Sequence, residues 1–64
     1  MYTETDLKER FIIIKNANLT DATILDENYR QLIAQAYNPD ERQQFVILRS
    51  TVQGRIKQLR QSTK

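Results

Sequence analysis

Four carboxylates in two adjacent pairs, Asp26-Glu27 and Asp40-Glu41, have the types and spacing that chemistry could use. Paired carboxylates can share general acid–base work, one donating a proton while the other accepts one. Both pairs, however, stand at predicted helix starts, where the helix dipole favours acids in the first turn. We therefore interpret them as helix-capping residues and not as a catalytic pair.

Nucleophilic catalysis has few candidate residues in this chain. Histidine and cysteine are absent, so the Cys–His and Ser–His arrangements and the usual zinc ligands are missing. Ser50 and Ser62 each lie a helical turn or more from Lys57, the base that a Ser–Lys arrangement would need. No glycine-rich phosphate loop or calcium-loop pattern occurs. We expect a non-enzymatic protein without cofactor, metal or small-molecule substrate.

The distribution of charge is the strongest functional signal. Residues 1–41 contain four bases and all eight acids, a net charge of −4, whereas residues 42–64 contain six bases and no acid, a net charge of +6. The bases of residues 42–60 have no acid three or four positions away, so pairing along one helix cannot neutralise them. We expect them to be solvated, to face the acids of preceding helices, or to meet an external partner. They are Arg42, Arg49, Arg55, Lys57 and Arg60.

The helix that carries these bases is predicted over residues 39–61. Asn38 is a strong N-cap, Pro39 suits the first helical position, and two acids follow in the first turn. Apolar residues then recur every three or four positions, as one buried helical face requires. They are Phe45, Leu48, Val52, Ile56 and Leu59.

A second helix is predicted over residues 23–37. Thr23 followed by Asp26 fits a capping box, and an apolar face begins at Leu25 and continues through Tyr29. The helix is expected to end before Asn38-Pro39. Because the connection to the next helix is so short, the two should form an antiparallel hairpin.

A first helix is predicted over residues 4–17, and it packs across the hairpin. Thr3 and Asp6 form a further capping signature, and Leu7 begins an apolar face that continues through Phe11. The β-branched run that follows Phe11 would also suit a strand, with a hairpin turn at residues 16–18. Nothing else in the chain would complete a stable sheet, so helix is preferred.

The chain is thus predicted to be one all-α domain of three helices over residues 1–64, with a frayed tail at 62–64. A domain this small has little core and usually needs a staple or a partner, so a dimer or a bound partner is expected. The longest apolar run, Phe11–Ile14, is too short to span a membrane or to form a signal-peptide core. A cytoplasmic location without membrane association is the resulting expectation.

Two functions are compatible with this layout. In the first, the protein is a regulator or adaptor that binds a protein partner or itself through the long helix. Val46 and Ile47 lie off that helix's buried face, and Tyr37 could join them in an exposed interface. In the alternative, the basic helix binds nucleic acid, with phosphate contacts from the ridge of bases and neighbouring polar side chains. The residues of that alternative are Arg42, Arg49, Ser50, Gln53, Arg55, Lys57 and Arg60.

Residues 49–59 resemble the recognition helix of LysR-type helix-turn-helix regulators, which run S-x-A-V-S-x-x-I-K-x-L or close to it. Matching residues include Ser50, Val52 and Lys57, and the sequence departs from the pattern at Arg42 and Val46, where a small residue and a glycine stand in that family. The resemblance implies DNA binding. The residues that it would place near the bases are Ser50, Thr51, Gln53 and Arg55.

Overall fold

The computed structural model describes residues 2–62, which form three helices: α1 (Glu4–Asn16), α2 (Leu19–Gln35) and α3 (Pro39–Ser62). No strand occurs in that part of the chain, so the predicted all-α three-helix fold is confirmed. The strand hairpin considered for the first third is wrong, since Phe11–Ile14 lies within α1. Of the predicted frayed tail, Ser62 ends α3, and residues 63–64 lie outside the described residues.

The start of α1 is fixed by a capping box, as predicted. The Thr3 hydroxyl accepts from the Asp6 backbone N–H at 3.2 Å, and the Thr3 backbone N–H donates to the Asp6 carboxylate at 3.1 Å. The bond from the Thr3 backbone is the main reason that the pKa of Asp6 lies below its usual value. Two otherwise unpaired donors are thereby satisfied at the helix start.

The start of α2 corrects the prediction. The helix begins at Leu19 rather than at residue 23, with Asn18 as its N-cap accepting from the Asp21 backbone N–H at 2.8 Å. The Thr23 hydroxyl instead donates to the Leu19 carbonyl within the helix at 2.8 Å. Asn is at least as good an N-cap as Thr, and the earlier start adds a turn whose Ala22 is fully buried.

The end of α2 and the start of α3 lie close to their predicted positions. α2 ends at Gln35, two residues before the predicted boundary, and α3 begins at Pro39. The Asn38 side chain accepts from the backbone N–H groups of Asp40 at 2.8 Å and Glu41 at 3.3 Å. The predicted Asn-Pro helix start is confirmed.

α3 is the central element, and α1 runs parallel to it. The backbone of Tyr2 exchanges two hydrogen bonds with the Gln44 side chain near the start of α3, at 3.0 and 3.1 Å. At the other end of α1, the Ala17 carbonyl meets Arg55, eleven positions further along α3. Since both pairs run in the same direction along the two chains, α1 and α3 are parallel.

α2 packs closely along α3 in the antiparallel sense, as the predicted hairpin requires. Asp26 in its middle meets Arg49, and Ala36 at its end meets Arg42 near the start of α3. The direct contact between α1 and α2 is slight, so each of them is held mainly by α3. The molecule is accordingly elongated, with Cα extents of 41 × 24 × 13 Å.

The core is small. Among residues 2–62, the large side chains buried almost completely are Ile14, Tyr29, Phe45, Leu48 and Val52, and an aromatic pair extends the core toward the start of α1. Tyr2 packs edge-on to Phe45 with ring centroids 5.6 Å apart, and the Arg10 guanidinium lies over the Tyr2 ring at 4.0 Å. The remaining buried residues are Ala17, Ala22 and Ala36.

Candidate binding surfaces

Two arginines of the basic helix α3 cap the C-terminal ends of α1 and α2. The Arg42 guanidinium donates to the Ala36 carbonyl at 2.6 Å, and Arg55 Nε donates to the Ala17 carbonyl at 3.0 Å. Ala36 and Ala17 are the C-caps of α2 and α1, where backbone carbonyls lack partners within the helix. Each of these two arginines thus has a partner inside the fold, and Arg42 is also exposed, so contact of either with an external partner stays a prediction.

A third arginine pairs with an acid across the fold. Arg49 Nε lies 3.1 Å from the Asp26 carboxylate, and the two side chains are 31% and 27% exposed. The pair joins the middle of α2 to the middle of α3. It confirms for Arg49 the expectation that bases of α3 could face acids of the first two helices.

The remaining bases, Lys57 and Arg60, lie near the C-terminal end of α3. They line an open groove of about 570 Å³ between α2 and α3, which we call the α2/α3 groove. Asp26, already paired with Arg49, is the acid in its lining. Ser50 and Gln53, the polar residues of the nucleic-acid hypothesis, are exposed on α3, and Gln53 also lines this groove.

The side of α3 that points away from the other helices carries apolar residues. Val46 and Ile47 are 42% and 46% exposed, as the helical pattern predicted. They lie about 100° and 200° around the helix from the buried Phe45, with Ser50 and Gly54 between them in angle. We call these four residues, Val46, Ile47, Ser50 and Gly54, the outer face of α3.

Gly54 has no internal reason to be glycine. A Cβ atom built at this position would meet nothing within 4 Å, and its φ is not positive. Glycine within a helix costs about 1 kcal/mol relative to alanine. The outer face therefore includes a point where a neighbouring molecule could approach the α3 backbone closely.

Tyr37 is fully exposed, but in a different place from Val46 and Ile47. It lies in the turn between α2 and α3, beside a depression formed with residues 34–36 and Arg42. Neither Val46 nor Ile47 lines that depression. The three predicted interface residues are thus all exposed, and their joining in one interface stays a prediction.

A second apolar surface, between α1 and α2, was not predicted from the sequence. Ile12, Ile13 and Ile24 are 59%, 56% and 53% exposed and border a cleft of about 500 Å³ between α1 and α2. Helical periodicity could have revealed it, because Ile12 and Ile13 lie off the face formed by Leu7 and Phe11. Val46 and Ile47 were identified in the same way on α3. We call this surface the α1/α2 cleft; it is lined by Ile12, Ile13, Asn16, Ala17, Asp21, Ile24 and Leu25.

Sites of other kinds are not found in the described part of the chain. No cluster of three or more His, Cys, Asp or Glu side chains in residues 2–62 could hold a metal ion. None of the three helices is long and apolar enough to cross a membrane. Comparison of the chain with known protein families, curated proteins and solved structures finds no match.

Proposed function

We propose that the protein is a small non-enzymatic adaptor or regulator that acts by binding protein, either a partner or another copy of itself, through the outer face of α3. The observation that supports this most strongly is the exposure of Val46 and Ile47 on the longest helix. Adjacent apolar side chains on the outside of a small domain are typical of a protein-binding surface.

The balance between core and surface supports the same proposal. Among the described residues, eight large apolar side chains are more than a third exposed, whereas five are no more than 5% exposed. A core of this size supplies only a few kcal/mol, and such domains commonly gain further stability by association. Binding through an apolar face would provide that stabilisation.

The proposal is tested by replacing Val46 and Ile47 together with serine. We expect wild type to show a mass that rises with concentration in analytical ultracentrifugation. The Val46→Ser/Ile47→Ser protein should remain helical, because both side chains are exposed, and should lose that rise in mass. Leu19→Ser is the matched control, since Leu19 is similarly exposed, at 39%, but lies at the start of α2. If wild type is monomeric, the same variants are compared for binding to proteins recovered with wild type.

Unchanged association or partner binding in the Val46→Ser/Ile47→Ser protein would refute the proposal. Equal losses in the Leu19→Ser control would also count against it, because the effect would then reflect general loss of surface apolarity. Circular dichroism at 222 nm checks that both variants retain their helices.

Nucleic-acid binding is the second candidate, and the α2/α3 groove is the observation in its favour. Lys57 is exposed there beside Arg60, and Gln53 offers a hydrogen-bond donor. The candidate is the weaker one because Arg42, Arg49 and Arg55 donate to groups within the fold. These donors would have to be shared with phosphate or withdrawn from their internal partners.

Fluorescence anisotropy with labelled duplex and single-stranded DNA tests this candidate. Binding through phosphates should fall steeply between about 50 and about 200 mM salt, and Lys57→Ala should reduce the salt slope by roughly one unit. Absence of binding at the lower salt concentration would exclude the candidate.

A further inference from the structure

We propose that the outer face of α3 docks into the α1/α2 cleft of a second copy, so that the protein associates head to tail. This inference rests on the proposed function of the outer face and names its partner. Each copy would then offer one apolar ridge, formed by Val46 and Ile47, and one apolar cleft. The two contacts made by a copy in the middle of a row would use different surfaces.

The chain exposes enough area for the contact with a second copy. The accessible surface is 4844 Å², whereas a compact protein of 7.6 kDa exposes about 4,300 Å². The Cα radius of gyration is 12.0 Å, against about 10.7 Å for a compact chain of this length. The excess area of several hundred Å² is of the order that each partner contributes to a standard interface, about 800 Å².

The two apolar surfaces cannot meet within one molecule. Phe45, Leu48 and Val52 point from α3 into the core that α1 and α2 cover, so Val46 and Ile47 face away from those helices. The α1/α2 cleft is lined by residues of α1, α2 and their connection, without any from α3. Since the surfaces lie on opposite sides of the molecule, they can be buried against each other only between copies.

Charge favours ridge-to-cleft docking over pairing of two clefts. Asp21 lines the cleft, and Glu9 lies one helical turn before Ile12 and Ile13. Of the three bases of α1, Lys8 and Lys15 lie on the flank of Ile12 opposite Ile13, and Arg10 lies over the Tyr2 ring. Two clefts facing each other would bring these carboxylates into one interface, which like charges disfavour.

The outer face of α3 carries the complementary charge at its edges. Arg42 lies one helical turn before Val46, and Lys57 lies one turn after Gly54. Around the helix, both bases lie toward the Val46 side of the outer face. The complementarity extends to the whole chain, because residues 1–41 have a net charge of −4 and residues 42–64 a net charge of +6. Association should consequently weaken as salt is raised.

Head-to-tail docking is a heterologous interface, and this gives it a distinctive test. Such interfaces generate rows or closed rings, whereas an isologous interface stops at two copies. A copy with a damaged ridge keeps its cleft, and a copy with a damaged cleft keeps its ridge. Mixing the two damaged proteins should therefore restore one interface, and only one.

The experiment uses Val46→Ser/Ile47→Ser as the ridge variant and Ile13→Ser/Ile24→Ser as the cleft variant, both as full-length proteins in analytical ultracentrifugation. Wild type is expected to grow beyond two copies as concentration rises. Each variant alone should remain at the 7.6 kDa of a single chain. Their equimolar mixture should form a species of twice that mass and nothing larger, and higher salt should dissociate it.

Three results would overturn the inference. The first is a mixture that remains monomeric. The second is wild type that is monomeric at every concentration; the outer face could then still bind a different protein, so the proposed function would stand. The third is a cleft variant that associates like wild type, which would show that two outer faces pair with each other; the proposed function would stand in that case too. If Ile13→Ser/Ile24→Ser loses its helices, the single variant Ile24→Gln replaces it in every comparison.

Discussion

Tyr29 shows how a single buried side chain makes the fold sensitive to pH. Its ring is 4% exposed, and burial raises the pKa of its phenol above the ordinary value of 10.0, with an opposing contribution from a hydrogen bond to Arg10. A raised pKa means that the neutral phenol is favoured in the folded state. Its contribution to stability is complete below pH 10.0 and is lost as the pH rises through the raised value.

We therefore expect Tyr29→Phe to shift alkaline unfolding to higher pH. The phenol that must remain neutral is gone, whereas the ring stays in the core. The measurement is circular dichroism at 222 nm from pH 8 to pH 12. Tyr37→Phe is the control, because Tyr37 is fully exposed. Coincident alkaline transitions for wild type and Tyr29→Phe would contradict the argument.

Arg55 and Lys57 provide a matched pair of bases on one helix. Arg55 donates to the Ala17 carbonyl at 3.0 Å and to the Gln58 side chain at 3.1 Å, whereas Lys57 is exposed. Arg55→Ala should lower the free energy of unfolding by about 1–3 kcal/mol, because a helix-end carbonyl loses its charged partner. Lys57→Ala should change it by less than about 0.5 kcal/mol. Urea denaturation monitored by circular dichroism gives both values, and equal effects would remove the structural role assigned to Arg55.

Gly54→Ala separates the needs of the fold from those of the outer face. The open space around Gly54 accepts a methyl group, so the substitution should stabilise α3 by up to about 1 kcal/mol and raise the melting temperature by several degrees. The same methyl group should weaken self-association if a second copy approaches the backbone there. Thermal denaturation and ultracentrifugation measure the two effects on one protein. A lower melting temperature would mean that glycine serves the fold itself.

At the scale of the elements, the residue that caps α2 decides where the helix begins. Asn18→Ala should lower the free energy of unfolding by about 1 kcal/mol, because the Asp21 backbone N–H loses its partner. Thr23→Ala should have a smaller effect, since the Thr23 hydroxyl bonds only within the helix. Denaturation in urea distinguishes the two. The opposite order would restore the later start that the sequence suggested.

Local signals in the sequence were sufficient for the starts of α1 and α3 and insufficient for that of α2. Thr3 is supported by Asp6 in a capping box, and Asn38 is supported by Pro39 at the next position, so each of these starts has a second local signal. Before α2, Asn18 and Thr23 compete, and the choice between them depends on Ala22, whose burial against the other helices is a tertiary effect. Local pattern cannot supply that information.

The same division applies to the candidate surfaces. The exposure of Val46 and Ile47 follows from helical periodicity, and it was predicted. The partners of Arg55 and Arg42 were not, because Arg55 reaches a carbonyl 38 positions away along the chain, which no local pattern encodes. The α1/α2 cleft required both the helical state of Ile12–Ile13 and the arrangement of α1 and α2 around α3.

At the scale of the whole molecule, the central position of α3 has a consequence for synthesis on the ribosome. α1 and α2 touch each other little, and both depend on a helix that is translated after them. An isolated helix of 13 or 17 residues is marginal in water. The nascent chain should remain largely unfolded until α3 emerges, after which all three helices form together.

A fragment of residues 1–38 represents that nascent state. We expect it to show little helical signal by circular dichroism and to gain helix when a synthetic peptide of residues 39–62 is added. A fragment that is helical by itself would contradict this order of events. If this expectation is correct, the acidic segment that contains α1 and α2 stays unfolded on the ribosome until the basic helix α3 has been synthesised. Translation that stops before α3 would then yield an unfolded chain that cellular proteases can degrade.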